Sequence, residues 1–135
     1  LIADAGYRTY STLIEARRDY VADNADIVQR FVDASIIGWY NYLYNDPSLG
    51  NAAIKADNPE MSDEQIEYTR NKLTGIGMID SGITLDKGIG CFDDAIVQSF
   101  YEKMVAADVV PANVELARVY TNDFVCKGVG MELKK

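Results

Sequence analysis

Apolar residues recur along the chain with a helical period. Ile27, Phe31, Ser35, Trp39 and Leu43 repeat every four residues, and Val28, Val32 and Ile36 lie beside them. The pattern predicts a long helix with a wide apolar face, begun by Asn24 as N-cap and Asp26 in the first turn, and ended by Asn45-Asp46-Pro47. A helical turn precedes it over 18–23. Gly38 inside the long helix costs about 1 kcal/mol against Ala, which a close crossing by another helix would offset. A short helix follows over 47–57 with Leu49, Ala52, Ala53 and Ile54. Ser62 and Gln65 form a capping box for a third, from Asp63 to about Thr74, stopped by Gly75 and Gly77. Residues 78–90 read as irregular. Asp93 caps a further helix to about Ala107, with Ile96, Val97, Phe100, Tyr101, Met104 and Val105 inward. Pro111 and Asn113 open a last one through Leu116, Val119 and Tyr120, Asp123-Phe124-Val125 form a terminal turn, and the tail from Lys127 frays.

One segment breaks this period. Over 7–18, Thr9, Tyr10, Thr12, Leu13 and Ile14 favour extended backbone and form no helical stripe, so the segment predicts a strand, preceded by a turn at Ala5-Gly6. The fold class expected is therefore mainly α: about five helices after one strand. A single strand makes no sheet, which points to a segment of a larger α/β protein.

Composition narrows the chemistry. The 135 residues suit one domain, and 48% hydrophobic with 25% charged residues argues against disorder. With 13 basic against 21 acidic residues the net charge is −8, which disfavours nucleic acid as a partner. No apolar run approaches the ~20 residues of a membrane span, and no signal peptide opens the chain. Histidine is absent, which removes Ser-His-Asp and Cys-His nucleophiles and HExxH zinc sites. Neither a catalytic nor a metal-binding residue is assigned, and no cofactor is expected. Cys91 and Cys126 read as two small buried hydrophobes; bridged, they would contribute on the order of 3–4 kcal/mol.

The remaining motifs read as structure. Gly88-Ile89-Gly90 lacks the rest of a dinucleotide fingerprint and reads as a tight turn. Asp93-Asp94 reads as a cap, Tyr40, Tyr42 and Tyr44 as packing, and Arg17-Arg18 as a solvated ion pair with Asp19 rather than an anion clamp. Asp4 and Tyr7 flank the glycine turn at the head of the strand, where a carboxylate and a phenol can recognise a donor-rich heterocycle. They are the candidate ligand-binding residues.

The stretch from Leu1 to Tyr44, with ADAGY, YSTLIEARRDYV and VQRFVDASIIGWYNYLYNDP, resembles the latter part of periplasmic substrate-binding proteins of ABC transporters. The nearer resemblance is to the branch related to the fungal pyrimidine synthase. That branch includes binders of thiamine pyrimidine precursors and riboflavin, with aliphatic sulfonate and nitrate binders as more distant relatives. The segments GIGCFDDAIVQSFYEKMVAADVVP and ARVYTNDFV resemble its closing helices. Two positions depart from the pattern: Ala25 stands where relatives commonly carry Pro, and Cys91 where Met is common.

The resemblance implies a fragment of a two-lobed α/β fold. All of 1–135 would be a single C-terminal segment, with 1–18 as crossover strand and hinge and 19–135 as helices packing on a first lobe. It implies a periplasmic or extracytoplasmic protein, lipid-anchored in a Gram-positive source. Its partners would be a small-molecule ligand such as a thiamine pyrimidine precursor and a membrane permease, and an apolar face left open would invite a homodimer. An enzyme is not expected. The alternatives are a fragment of a pyrimidine-synthase-type enzyme, which would need a histidine from elsewhere, and a free-standing helical interaction domain.

Overall fold

The computed structural model describes residues 2–134. They hold six α-helices: α1 Arg18–Asp23, α2 Ala25–Tyr44, α3 Ser48–Asp57, α4 Asp63–Gly75, α5 Thr84–Lys87 and α6 Asp94–Ala106. Three short 3-10 turns lie at Ile2–Ala5, Leu116–Arg118 and Met131–Leu133. The protein is thus mainly α, with six helices where about five were expected: the helical turn over 18–23 is α1, α5 lies inside a stretch read as irregular, and the last expected helix is not formed. None of the described helices is long and apolar enough to cross a membrane.

The expected strand over 7–18 is not formed. Residues 7–17 have no regular structure, and α1 begins at Arg18. Propensity biases the backbone, but a strand exists only where a second strand completes its ladder. Leu13 and Ile14 stand 49% and 57% exposed on this segment.

The chain forms two compact units, each discontinuous in sequence. One comprises 2–25 with Phe92–Asp123, the other Asp26–Cys91 with 124–134. In the second unit Val32, Ile36, Tyr40 and Leu43 of α2 are buried with Ile89. Of the predicted four-residue row, Leu43 is buried, Trp39 is partly so, and Phe31 and Ile27 are 59% and 42% exposed. The reason is geometric: each step of four turns about 40° past a full circle, so the row winds around the helix instead of following its axis. The parallel row Val28, Val32, Ile36 carries the upper part of the core. No neighbouring atom comes within 4 Å of a Cβ built on Gly38, so the expected close crossing is not made among the described residues.

Local stop and start signals act as their chemistry predicts. Ser62 Oγ accepts from the Gln65 N–H at 3.2 Å, and Gln65 Oε1 accepts from the Ser62 N–H at 2.9 Å. Asp93 accepts from the Ala95 N–H at 3.0 Å. Asn24 differs: its Nδ2 and its main-chain N–H both donate to the Tyr20 carbonyl, so it closes α1. With one residue between α1 and α2, the C-cap of the first is also the entry to the second.

Two C-terminal expectations are corrected. The last helix is only the Leu116–Arg118 turn. The segment before it is held by a side chain instead, the Val114 N–H donating to the Tyr101 hydroxyl at 3.2 Å. The tail is not frayed over its described part; Lys135 lies outside the described residues. Val129, Met131 and Leu133 pack against the α2 core, and the Leu133 carbonyl accepts from Asn45 Nδ2 at 2.9 Å. Cys126 is bonded to Cys91, with a Cα–Cα separation of 4.7 Å. The two cysteines are thus a disulfide rather than two free buried thiols, because the tail returns to the segment leaving α5. Their spacing in sequence carried no trace of that return.

Asp80 fastens the tail from the other side. Its side chain is 2% exposed and accepts from Lys134 Nζ at 2.7 Å, Tyr44 Oη at 2.7 Å and Thr84 Oγ1 at 2.9 Å. Burial pushes the Asp80 carboxyl up, but the hydrogen bonds from Lys134, Tyr44 and Thr84 outweigh it, and the group stands below the usual carboxylate range. The Asp80 hydrogen bond raises the Lys134 ammonium, against a smaller opposing effect of burial. A depressed carboxyl contributes stability above its unfolded pKa of about 3.9 and loses it as pH falls through the folded value. A raised ammonium contributes below its unfolded pKa of about 10.4 and loses it as pH rises through the folded value. The clasp should therefore hold across neutral pH and weaken on the acid side. Asp80→Asn should cost about 2 kcal/mol at neutral pH and flatten the acid limb of a denaturant midpoint-versus-pH curve. An unchanged acid limb would show that other carboxylates set it.

Candidate functional site

The two candidate ligand-binding residues, Asp4 and Tyr7, belong to the first unit. Asp4 lies in the 3-10 turn Ile2–Ala5, exposed. The turn closes through Gly6 N–H to the Ala3 carbonyl at 3.0 Å and Tyr7 N–H to the Ile2 carbonyl at 3.3 Å. Gly6 sits at φ 90°, a backbone that a side chain rarely permits, and a Cβ there would meet nothing within 4 Å. Dihedral freedom, not space, is what this position asks of glycine.

Helix α6 supports the turn. Lys103 Nζ donates to the Gly6 carbonyl at 2.7 Å, and the Tyr7 ring meets Phe100 edge to face at 5.1 Å. Phe100 and Lys103 are three apart and so share one side of the helix. Tyr7 keeps 46% of its surface open. The corner therefore presents a carboxylate and an anchored phenol on one short turn, over an ammonium that holds the backbone. Such a set can accept hydrogen bonds from a polar heterocycle and offer a ring edge to it. The sequence located the turn and its two side chains. It did not indicate Phe100 or Lys103 as their support, since both lie more than 90 positions away along the chain.

A second aromatic group orders the start of α6. Tyr10 Oη accepts from the Asp93 N–H at 2.8 Å, and the Phe92 ring meets Tyr10 at 5.0 Å and Tyr120 at 5.3 Å. Tyr120 Oη donates to Asp94 at 2.8 Å; burial, and then this carboxylate, push the phenol up. Asp93 and Asp94 thus act separately, one as a cap and one as an acceptor for Tyr120. Among the described residues no three metal-ligating side chains lie together.

In the second unit Tyr40 is core, its hydroxyl accepting from the Ile89 N–H at 3.2 Å. Gly88 lies against the Gly128 backbone, and Gly90 against Val125, so the glycine turn is a packing element. Arg17 pairs with Asp19, as expected, while Arg18 turns away to the Arg118 carbonyl. No family model, curated protein or solved structure matches this chain.

Proposed function

We propose that this chain is the C-terminal part of an extracytoplasmic solute-binding protein that delivers a small molecule to an ABC importer's permease. One observation carries the reading: the first unit buries none of its described side chains fully. Ile96, Val97, Phe100, Met104 and Val105 of α6 are only partly buried, and Leu13 and Ile14 of the same unit are exposed. A unit with so much apolar surface and so thin a core calls for a further layer to cover it. A first lobe carrying the missing sheet would supply both that layer and a partner for residues 7–17. The Cys91–Cys126 disulfide supports an oxidising compartment. The family itself comes from the sequence resemblance.

In this reading the chemistry is non-covalent. Two lobes close on the ligand, and Asp4 and Tyr7 contact it from the hinge side. The ligand class is a thiamine pyrimidine precursor or a related vitamin-like heterocycle. The test uses the longer protein that contains this segment. Thermal shift and calorimetry with a hydroxymethylpyrimidine, riboflavin, an aliphatic sulfonate and nitrate should give saturable binding of one of them, weakened about tenfold by Asp4→Asn or by Tyr7→Phe, each the loss of one hydrogen bond. Binding of none of the four would overturn the reading. Self-association of this chain that rises with concentration would agree with an uncovered face, whereas a monomer at every concentration would favour a free-standing domain.

A further inference from the structure

We propose that the first unit carries an oxyanion subsite built on Arg18 and Arg118, for a small organic carboxylate or phosphate. Both line a surface depression of about 260 Å³ together with Asn113, Val114, Glu115 and Val119. The two adjacent arginines at the start of α1 have different fates. Arg17 is closed off by Asp19, Nε donating at 3.0 Å and Nη2 completing the pair. Arg18 sends Nη2 to the main-chain carbonyl of Arg118 at 2.5 Å. That contact joins residues 100 positions apart and sets the guanidinium at the depression's edge. A guanidinium has five N–H donors in a planar fork, and this bond uses a single Nη2 donor, leaving the others for an incoming acceptor.

Arg118 is held loosely. Its Nη1 lies 3.9 Å from Glu115, with the two side chains 65% and 74% exposed. An exposed pair at that distance is worth little, so a ligand oxyanion competes with Glu115 for Arg118 at small cost. The floor is better fixed: the Tyr101 hydroxyl accepts from the Val114 N–H at 3.2 Å and donates to the Pro111 carbonyl at 3.2 Å, tethering the segment that carries Asn113. Val114 and Val119 add an apolar wall, which suits an anion with a small hydrocarbon body. Two guanidiniums on one depression also run against a net charge of −8, so anion capture there is a local property and not one of the general field.

The test is an NMR titration of this chain with inorganic phosphate and, separately, benzoate, following main-chain amides and arginine Nε–H signals. Saturable shifts confined to residues 113–119 and Arg18 are expected, with the preferred probe telling phosphate from carboxylate. Arg118→Gln keeps the carbonyl that Arg18 uses and should weaken binding at least tenfold. Glu115→Gln should strengthen it several-fold, and Arg17→Gln should leave it unchanged. Shifts that are linear and spread over the surface, indifference to Arg118→Gln, or weakening by Glu115→Gln would each overturn the proposal. The outcome is independent of the transport reading, which concerns Asp4 and Tyr7.

Discussion

Replacing Cys91 and Cys126 together by alanine should lower stability by about 4 kcal/mol. The bond spans 35 positions, and closing a loop of that length removes about 13 cal/mol/K from the unfolded chain, or about 4 kcal/mol at 25 °C. The released segment takes Phe124, Val125, Val129, Met131 and Leu133 with it in any opening, because all five pack on the α2 core. Cys126 also sits at φ 60°, a left-handed backbone costing a non-glycine residue about 1–2 kcal/mol. A Cys91→Ala, Cys126→Gly variant should therefore lose about 1 kcal/mol less than the double alanine form. Denaturant midpoints with and without reductant measure both. Reduced wild-type protein should approach the double alanine variant, and a shift below about 1 kcal/mol would show that the tail is held without the bond.

Tyr40→Ala should cost a similar amount, about 3–5 kcal/mol. Its side chain is 1% exposed at the centre of the second unit. The tail backbone lies on its ring: a Cβ at Gly130 would come within 2.8 Å of a ring carbon, and that glycine takes φ 75°. Removing the ring leaves a cavity bounded by backbone, which cannot collapse easily. Tyr40→Phe isolates the polar part. It keeps the ring and leaves the buried Ile89 N–H without the hydroxyl that accepts from it at 3.2 Å, a cost of about 1–3 kcal/mol. The specific readout is hydrogen exchange at the Ile89 amide, which should quicken in Tyr40→Phe beyond the change expected from global stability. Equal slowing or quickening at every core amide would mean the hydroxyl does no local work.

The elements that could be read in advance are those whose causes lie within a few residues. The Ser62/Gln65 box, the Asp93 cap and the break at Asn45-Asp46-Pro47 are short-range chemistry, and each helix limit falls where that chemistry puts it. What escaped was decided over distance. The core row of α2 depends on where the tail returns. Residues 127–134 carry two glycines, two lysines and isolated apolar positions, a composition that signals nothing until Leu133 and Lys134 meet Asn45 and Asp80. The bias of 7–17 toward extended backbone was visible, but not whether a second strand exists to meet it. At the candidate site the glycine turn was legible and its support from α6 was not. Arg17 and Arg18 looked equivalent, and only the fold separates them.

The disulfide has one more consequence, from where it falls in the chain. Residues 92–123 leave the second unit and come back to it, and Cys91 and Cys126 stand at the two ends of that excursion. A protease that cuts once anywhere within it severs the polypeptide without separating its parts. The nicked product would run as one species on a non-reducing gel, heavier than the intact chain by a single water. It would resolve into two bands only after a thiol is added.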